Sequence, residues 1–182
     1  MNALKEKTQY LLLRAISFLF LIIFLFLVSI PSKSFALSLA IEPDEILVEN
    51  VALGKPVAVS ALAGEKMKLR IINKEAAACT YSIDILQNGK TSAPMNVGYT
   101  DIPDVAWIYP QVKEIKVPGN SFKDVELYIN IPQNKEYLNQ KYQAVIEVKT
   151  KKARPKDLFV LAGQLKINFS TATYEEAQNV QK

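Results

Sequence analysis

The side chains able to do chemistry are few. The chain has no histidine and a single cysteine, Cys79. That removes Ser-His-Asp and Cys-His catalytic sets, the usual zinc ligand sets and any internal disulfide. Glycines are sparse and none is spaced as GxGxxG or GxxxxGK, so a phosphate-cradling loop is missing. A carboxylate pair remains formally open. Asp101 and Asp104 flank Ile102-Pro103, and Asp44-Glu45 follow Pro43. Acids beside prolines ordinarily serve turns. A calcium site at Asp101 and Asp104 is the rival reading, because hard cations favour clustered oxygens. The chain is read as non-catalytic, with no cofactor and no metal.

Binding chemistry has three candidate sources. Trp107 is the only tryptophan and shares strand parity with Tyr109. The pair is either a stacking platform for a sugar ring or a peptide, or, for Trp107, filler of a sandwich core. Lys149, Lys151, Lys152, Arg154 and Lys156 lie close together. They form either a solvated loop tip that keeps a sheet edge from aggregating or a contact for an anionic wall polymer or lipid headgroups. Leu165, Ile167 and Phe169 are apolar at every second position near the end of the chain. They mark a possible edge strand to which a partner could add.

Alternation of period two, the mark of half-buried strands, dominates the chain beyond residue 40. Leu69 and Ile71 follow Met67 in step, against Lys66, Lys68 and Arg70. Tyr81, Ile83 and Ile85 form a second series, and Val125, Leu127, Ile129 and Ile131 a third. Ala144, Ile146 and Val148 precede the final series, Leu165 to Phe169. Weaker strands are read at 37–41, 46–51, 56–62, 105–109 and 112–117. Ala63-Gly64-Glu65 and Pro118-Gly119-Asn120-Ser121 supply turns. Only 135–139 and 174–181 look helical. The expectation is an all-β fold, a single immunoglobulin-like antiparallel β-sandwich of seven to nine strands over residues 37–170, with a polar tail at 171–182.

Residues 1–36 have a different character. Lys5, Lys7 and Arg14 precede an uncharged stretch from Ala15 to Ile30, and Ser34-Phe35-Ala36 offers small residues at the positions a signal peptidase reads. That order predicts a secretory signal peptide. The rival is an uncleaved N-terminal anchor. The uncharged stretch spans about 24 Å as a helix, short of a hydrocarbon core of about 30 Å. Either way the sandwich is expected outside the cytoplasm, with membrane contact only through this segment.

The net charge of +4 comes mostly from that segment. It holds four of the 22 basic residues and one of the 18 acids, which leaves 18 against 17 and a net of +1. A near-neutral domain has little field with which to gather phosphates, so nucleic-acid binding is not implied.

Several stretches resemble known extracytoplasmic immunoglobulin-like domains. Ala63 to Asn73 resembles their opening of turn glycine, alternating strand and asparagine. Val117-Pro118-Gly119-Asn120-Ser121 with 125–132 resembles their hairpin, and Tyr137 to Tyr142 the corner where a tyrosine opens the second-last strand. The pattern is similar to the N-terminal domain of WxL-interacting surface proteins and, more distantly, to pilus-chaperone-like domains. That resemblance implies a secreted or cell-surface module binding a protein or a wall polymer. The alternative it implies is a periplasmic assembly chaperone that lends its last strand to exported surface or fibre subunits.

Overall fold

The computed structural model describes residues 38–151 and 160–173. The expected signal or anchor segment, the helical reading at 174–181, and Lys152, Arg154 and Lys156 lie outside the described residues.

The alternation read from the sequence becomes two packed layers. One is a six-stranded sheet. Its main path runs β2 (Glu45–Val51), β12 (Ala162–Thr171), β11 (Lys141–Thr150), β5 (Cys79–Gln87) and β8 (Glu114–Val117), and the short β6 (Thr100–Asp101) pairs with β11 off this path. The other layer carries β1 (Leu39–Glu42), β4 (Leu69–Asn73) and β9 (Ser121–Val125), and a second trio of β3 (Val57–Ala58), β10 (Leu127–Ile129) and β7 (Ile108–Pro110). Pairing is antiparallel except for β2 on β12 and β6 on β11. The fold is an all-β, immunoglobulin-like sandwich.

The inward parity holds for most series. Leu69, Ile71, Tyr81, Leu127, Ile129, Ala144, Ile146, Val148, Leu165, Ile167 and Phe169 are buried in one apolar core. Each fully buried aliphatic side chain contributes about 1.5–3 kcal/mol over leaving it in water. The polar partners face out. On the β4–β9 pair Arg70 holds Asp124 through two hydrogen bonds and lies over the Phe122 ring, 4.1 Å from its centroid.

Several stretches depart from the sequence reading. The run 125–131 is not one strand, because Glu126 breaks it. The Glu126 carbonyl accepts from Gln111 N–H, and its carboxylate accepts from the Ser60 hydroxyl (2.6 Å) and N–H (3.2 Å). β9 and β10 therefore join different ladders. Residues 56–62 form the short β3 and then a helix, α1 (Val59–Ala63), that seats Val59 in the core. Residues 105–107 form a 3₁₀ turn whose Ala106 N–H is capped by the Asp104 carboxylate at 2.9 Å. The helical reading at 135–139 is a 3₁₀ turn at Lys135–Tyr137. β12 also runs one residue past the expected domain end, and Thr171 and Ala172 are buried.

Candidate functional site on the last strand

β12 is bonded along its length on one side and along only part of it on the other. β11 pairs with it from Ser170 to Ala162. β2 pairs only with its second half, from Lys166 opposite Glu45 to Thr171 opposite Val51. The reason is the path of the first strand. Leu39–Glu42 pairs with β4 in the other layer, and the chain crosses between layers at Pro43. The Lys166 N–H donates to the Asp44 carbonyl at 3.2 Å, where the coverage begins. N-terminal to that bond, β12 has no strand beside it on the β2 side among the described residues.

Strand parity identifies the open groups. The Leu161 carbonyl accepts from Thr150 N–H at 2.9 Å, so odd residues of β12 point their main chain at β11. Lys166 points the other way. Ala162 and Gln164 share its parity, so their N–H and C=O groups face the open side. The inner side of this half is lined by Gly163 and Ile41: a Cβ built on Gly163 would stand 3.4 Å from the Ile41 side chain. On the outer side Gln164 Nε2 donates to Glu147 Oε1 at 3.1 Å, and Lys149 pairs with the same carboxylate and, at 4.0 Å, with Asp84. Burial works against the Glu147 charge, but the hydrogen bonds from Lys149 and Gln164 outweigh it and hold the carboxyl below its usual range. The same contact raises Lys149.

This geometry corrects the edge-strand reading of Leu165, Ile167 and Phe169. All three side chains are fully buried, and β2 lies beside β12 at Ile167 and Phe169. Only the part of β12 before Lys166 is open. The platform reading of Trp107 is corrected as well. Its ring is 4% exposed and packed edge-on by Tyr137 and Tyr142, with centroids at 4.7 and 5.3 Å. The 3₁₀ turn breaks the parity assumed between Trp107 and Tyr109, so the two point apart. Tyr109 is the exposed one, and it stacks on Tyr128 at 5.4 Å. Of the basic cluster, Lys149 is paired as above and Lys151 holds Glu114 at 2.5 Å.

The acids near prolines serve the chain itself. Asp101 accepts from the N–H groups of Asn88 and Gly89. No group of three or more metal-ligating side chains gathers among the described residues. The sequence also gave no hint of a polar strap over the outer face of the larger sheet. Residues 88–96 are tied down by the buried Gln143, whose Oε1 accepts from Asn96 N–H at 2.8 Å and whose Nε2 donates to Asn88 Oδ1 and to the Pro94 carbonyl. Asn96 also bonds Glu45 and Lys166. Single polar residues in a strand read as solvent-facing, and nothing local to Gln143 announces the loop that covers it.

No family model and no curated protein matches the sequence. Among solved structures the chain is similar to the ASH/PapD-like domain 7 of human CEP192, with a TM-score of 0.51 at 8% identity over 80% of this chain and 92% of that one. The E. coli chaperone DraB is a weaker match, with a TM-score of 0.46 at 11% identity over 74% of this chain and 55% of that one. So is a chain of the Salmonella enterica SafA pilin in complex with the SafB chaperone, at 0.48 and 10% over 76% and 57%. The chain spans just over half the length of these last two. The likeness to the CEP192 domain is one of fold, an immunoglobulin-like β-sandwich.

Proposed function

We propose that the chain is a non-catalytic, extracytoplasmic binding module that takes an extended segment of a partner protein onto the open half of β12. The observation that carries this reading is the outward-facing main chain of Ala162 and Gln164, left without a neighbouring strand on that side among the described residues where the first strand crosses to the other layer. An added strand supplies affinity through main-chain hydrogen bonds, and its alternate side chains supply selectivity. A protein fits better than a wall polymer. Trp107 is buried and offers no sugar platform, and Lys149 and Lys151 are already matched by Glu147 and Glu114. The resemblance to the N-terminal domain of WxL-interacting surface proteins supports the same reading. A chaperone for exported fibre subunits is the narrower version, in which the segment belongs to a client subunit.

Gln164→Pro tests it. The Gln164 N–H takes no part in the β11 ladder, so proline at this position leaves the sandwich bonded and removes the donor that an incoming strand needs. Crosslinking capture from intact cells with the full chain should recover a partner that the variant loses, while its far-ultraviolet spectrum stays that of the parent and its urea midpoint drops only by the lost Gln164 Nε2–Glu147 bond. The identity of the captured protein distinguishes a fibre subunit from another surface protein. Equal capture by Gln164→Pro would exclude strand addition at this edge.

A further inference from the structure

The larger sheet ends at β8 on the side away from β2. We infer that β8 is a self-association edge, on which a second copy of the chain pairs antiparallel about a twofold axis through Ile115. The inference is independent of the β12 half-edge, which lies across two intervening strands.

Parity again identifies the open groups. The Ile83 N–H donates to the Lys113 carbonyl at 2.9 Å, and Tyr81 pairs with Ile115. Odd residues of β8 therefore face β5, and the main chain of Glu114 and Lys116 faces outward. Placing Ile115 opposite its own copy sets Glu114 opposite Lys116 twice. Those two positions are hydrogen-bonded pairs, with main-chain donors and acceptors aligned and side chains of opposite charge on the same face. Lys116 has no acidic partner among the described residues. Lys151 occupies Glu114 Oε1, and Oε2 takes none of the described hydrogen bonds or ion pairs. Ile115 is only partly buried and packs against the core from the sheet edge, so its remaining surface would close against its copy at the axis. Pro118 lacks an N–H and keeps the added ladder short.

The opposite edge of the same sheet shows the contrast. A copy of β2 paired about Leu47 would set Glu45 against Glu49 twice, and like charges directly opposite are destabilising. Of the two edges, β8 has the charge order that matches itself.

The test is sedimentation velocity on the full chain over a concentration series, in mild detergent. The parent should show a monomer–dimer equilibrium. Glu114→Lys or Lys116→Glu alone creates two like-charge pairs and should weaken the dimer by about tenfold. An equimolar mixture of the two variants restores opposite charges at both pairs and should return to parental association. As a check that does not depend on charge, Ile115→Cys combined with Cys79→Ser should oxidise to a covalent dimer, since facing residues of this pair type have Cα atoms about 4.5 Å apart. A parent that stays monomeric throughout, a dimer indifferent to both charge changes, or a mixture no tighter than either variant would overturn the inference.

Discussion

The Lys166 N–H donates to the Asp44 carbonyl, and this one bond divides β12 into a covered half and an open half. On the covered side Ile167 and Phe169 lie beside Ile46 and Val48. On the open side Ala162 and Gln164 have no second strand beside them among the described residues, because Leu39–Glu42 pairs with β4 in the other layer.

The turn between β8 and β9 packs tightly on the turn between β4 and β5. A Cβ on Gly119 would stand 2.0 Å from the Ala76 carbonyl oxygen, and the neighbouring Asn120 N–H bonds the Glu75 carbonyl at 2.8 Å. Backbone cannot yield there as a flexible side chain can. Gly119→Ala should cost about 2–3 kcal/mol. The check is a lower urea midpoint at unchanged slope, and a midpoint equal to the parent's would contradict the close approach.

Trp107 should act as a buried reporter and a core anchor. As the only tryptophan, it should emit at short wavelength in the folded chain and shift to the red in urea. Trp107→Ala removes the ring that Tyr137 and Tyr142 pack against, at a cost of about 3–5 kcal/mol. Red emission from the folded parent would show that the ring is solvated.

Gln143 holds the 88–96 strap from below. Gln143→Ala leaves Asn96 N–H and Asn88 Oδ1 without their partner beneath the loop, each loss costing about 1–3 kcal/mol if the group stays buried. The strap should loosen rather than the sandwich melt. Hydrogen exchange should accelerate at residues 88–96 and remain slow in β11 and β5. Uniform acceleration across the sheet would show that Gln143 supports the core instead.

Glu147 should contribute acid sensitivity. Its folded carboxyl sits below the ordinary value of 4.5, so the unfolded chain binds the proton first as pH falls. Its stabilisation is present above that value and is lost as pH drops through the lower, folded one. Asp124, lowered by its bonds to Arg70, adds a further loss that begins below its own ordinary value of 3.8. Glu147→Gln should flatten, without abolishing, the decline in urea midpoint below about pH 4.5. A decline as steep as the parent's would mean that the Lys149 and Gln164 contacts do not favour the charged form.

The sequence by itself determined which side chains go inside. Leu165, Ile167 and Phe169, like Ala144, Ile146 and Val148, are buried as their spacing requires, because alternate residues of any strand face opposite sides of its sheet. The missing histidine and glycine motifs likewise bear on chemistry without any fold. Only the tertiary structure decided who lies beside whom. Lys166 meets Asp44, and Gln143 meets Asn88, across long stretches of chain through main-chain or amide groups that leave no periodic trace in the sequence. Trp107 and Glu126 show the same limit. A 3₁₀ turn at Trp107 resets the parity, whereas the break at Glu126 keeps it and only hands the chain to a different ladder; each arises from a cap or contact made with its surroundings rather than from the residue type. Alternation reports the dry face of a strand, whereas an open edge is set by where a distant strand stops pairing.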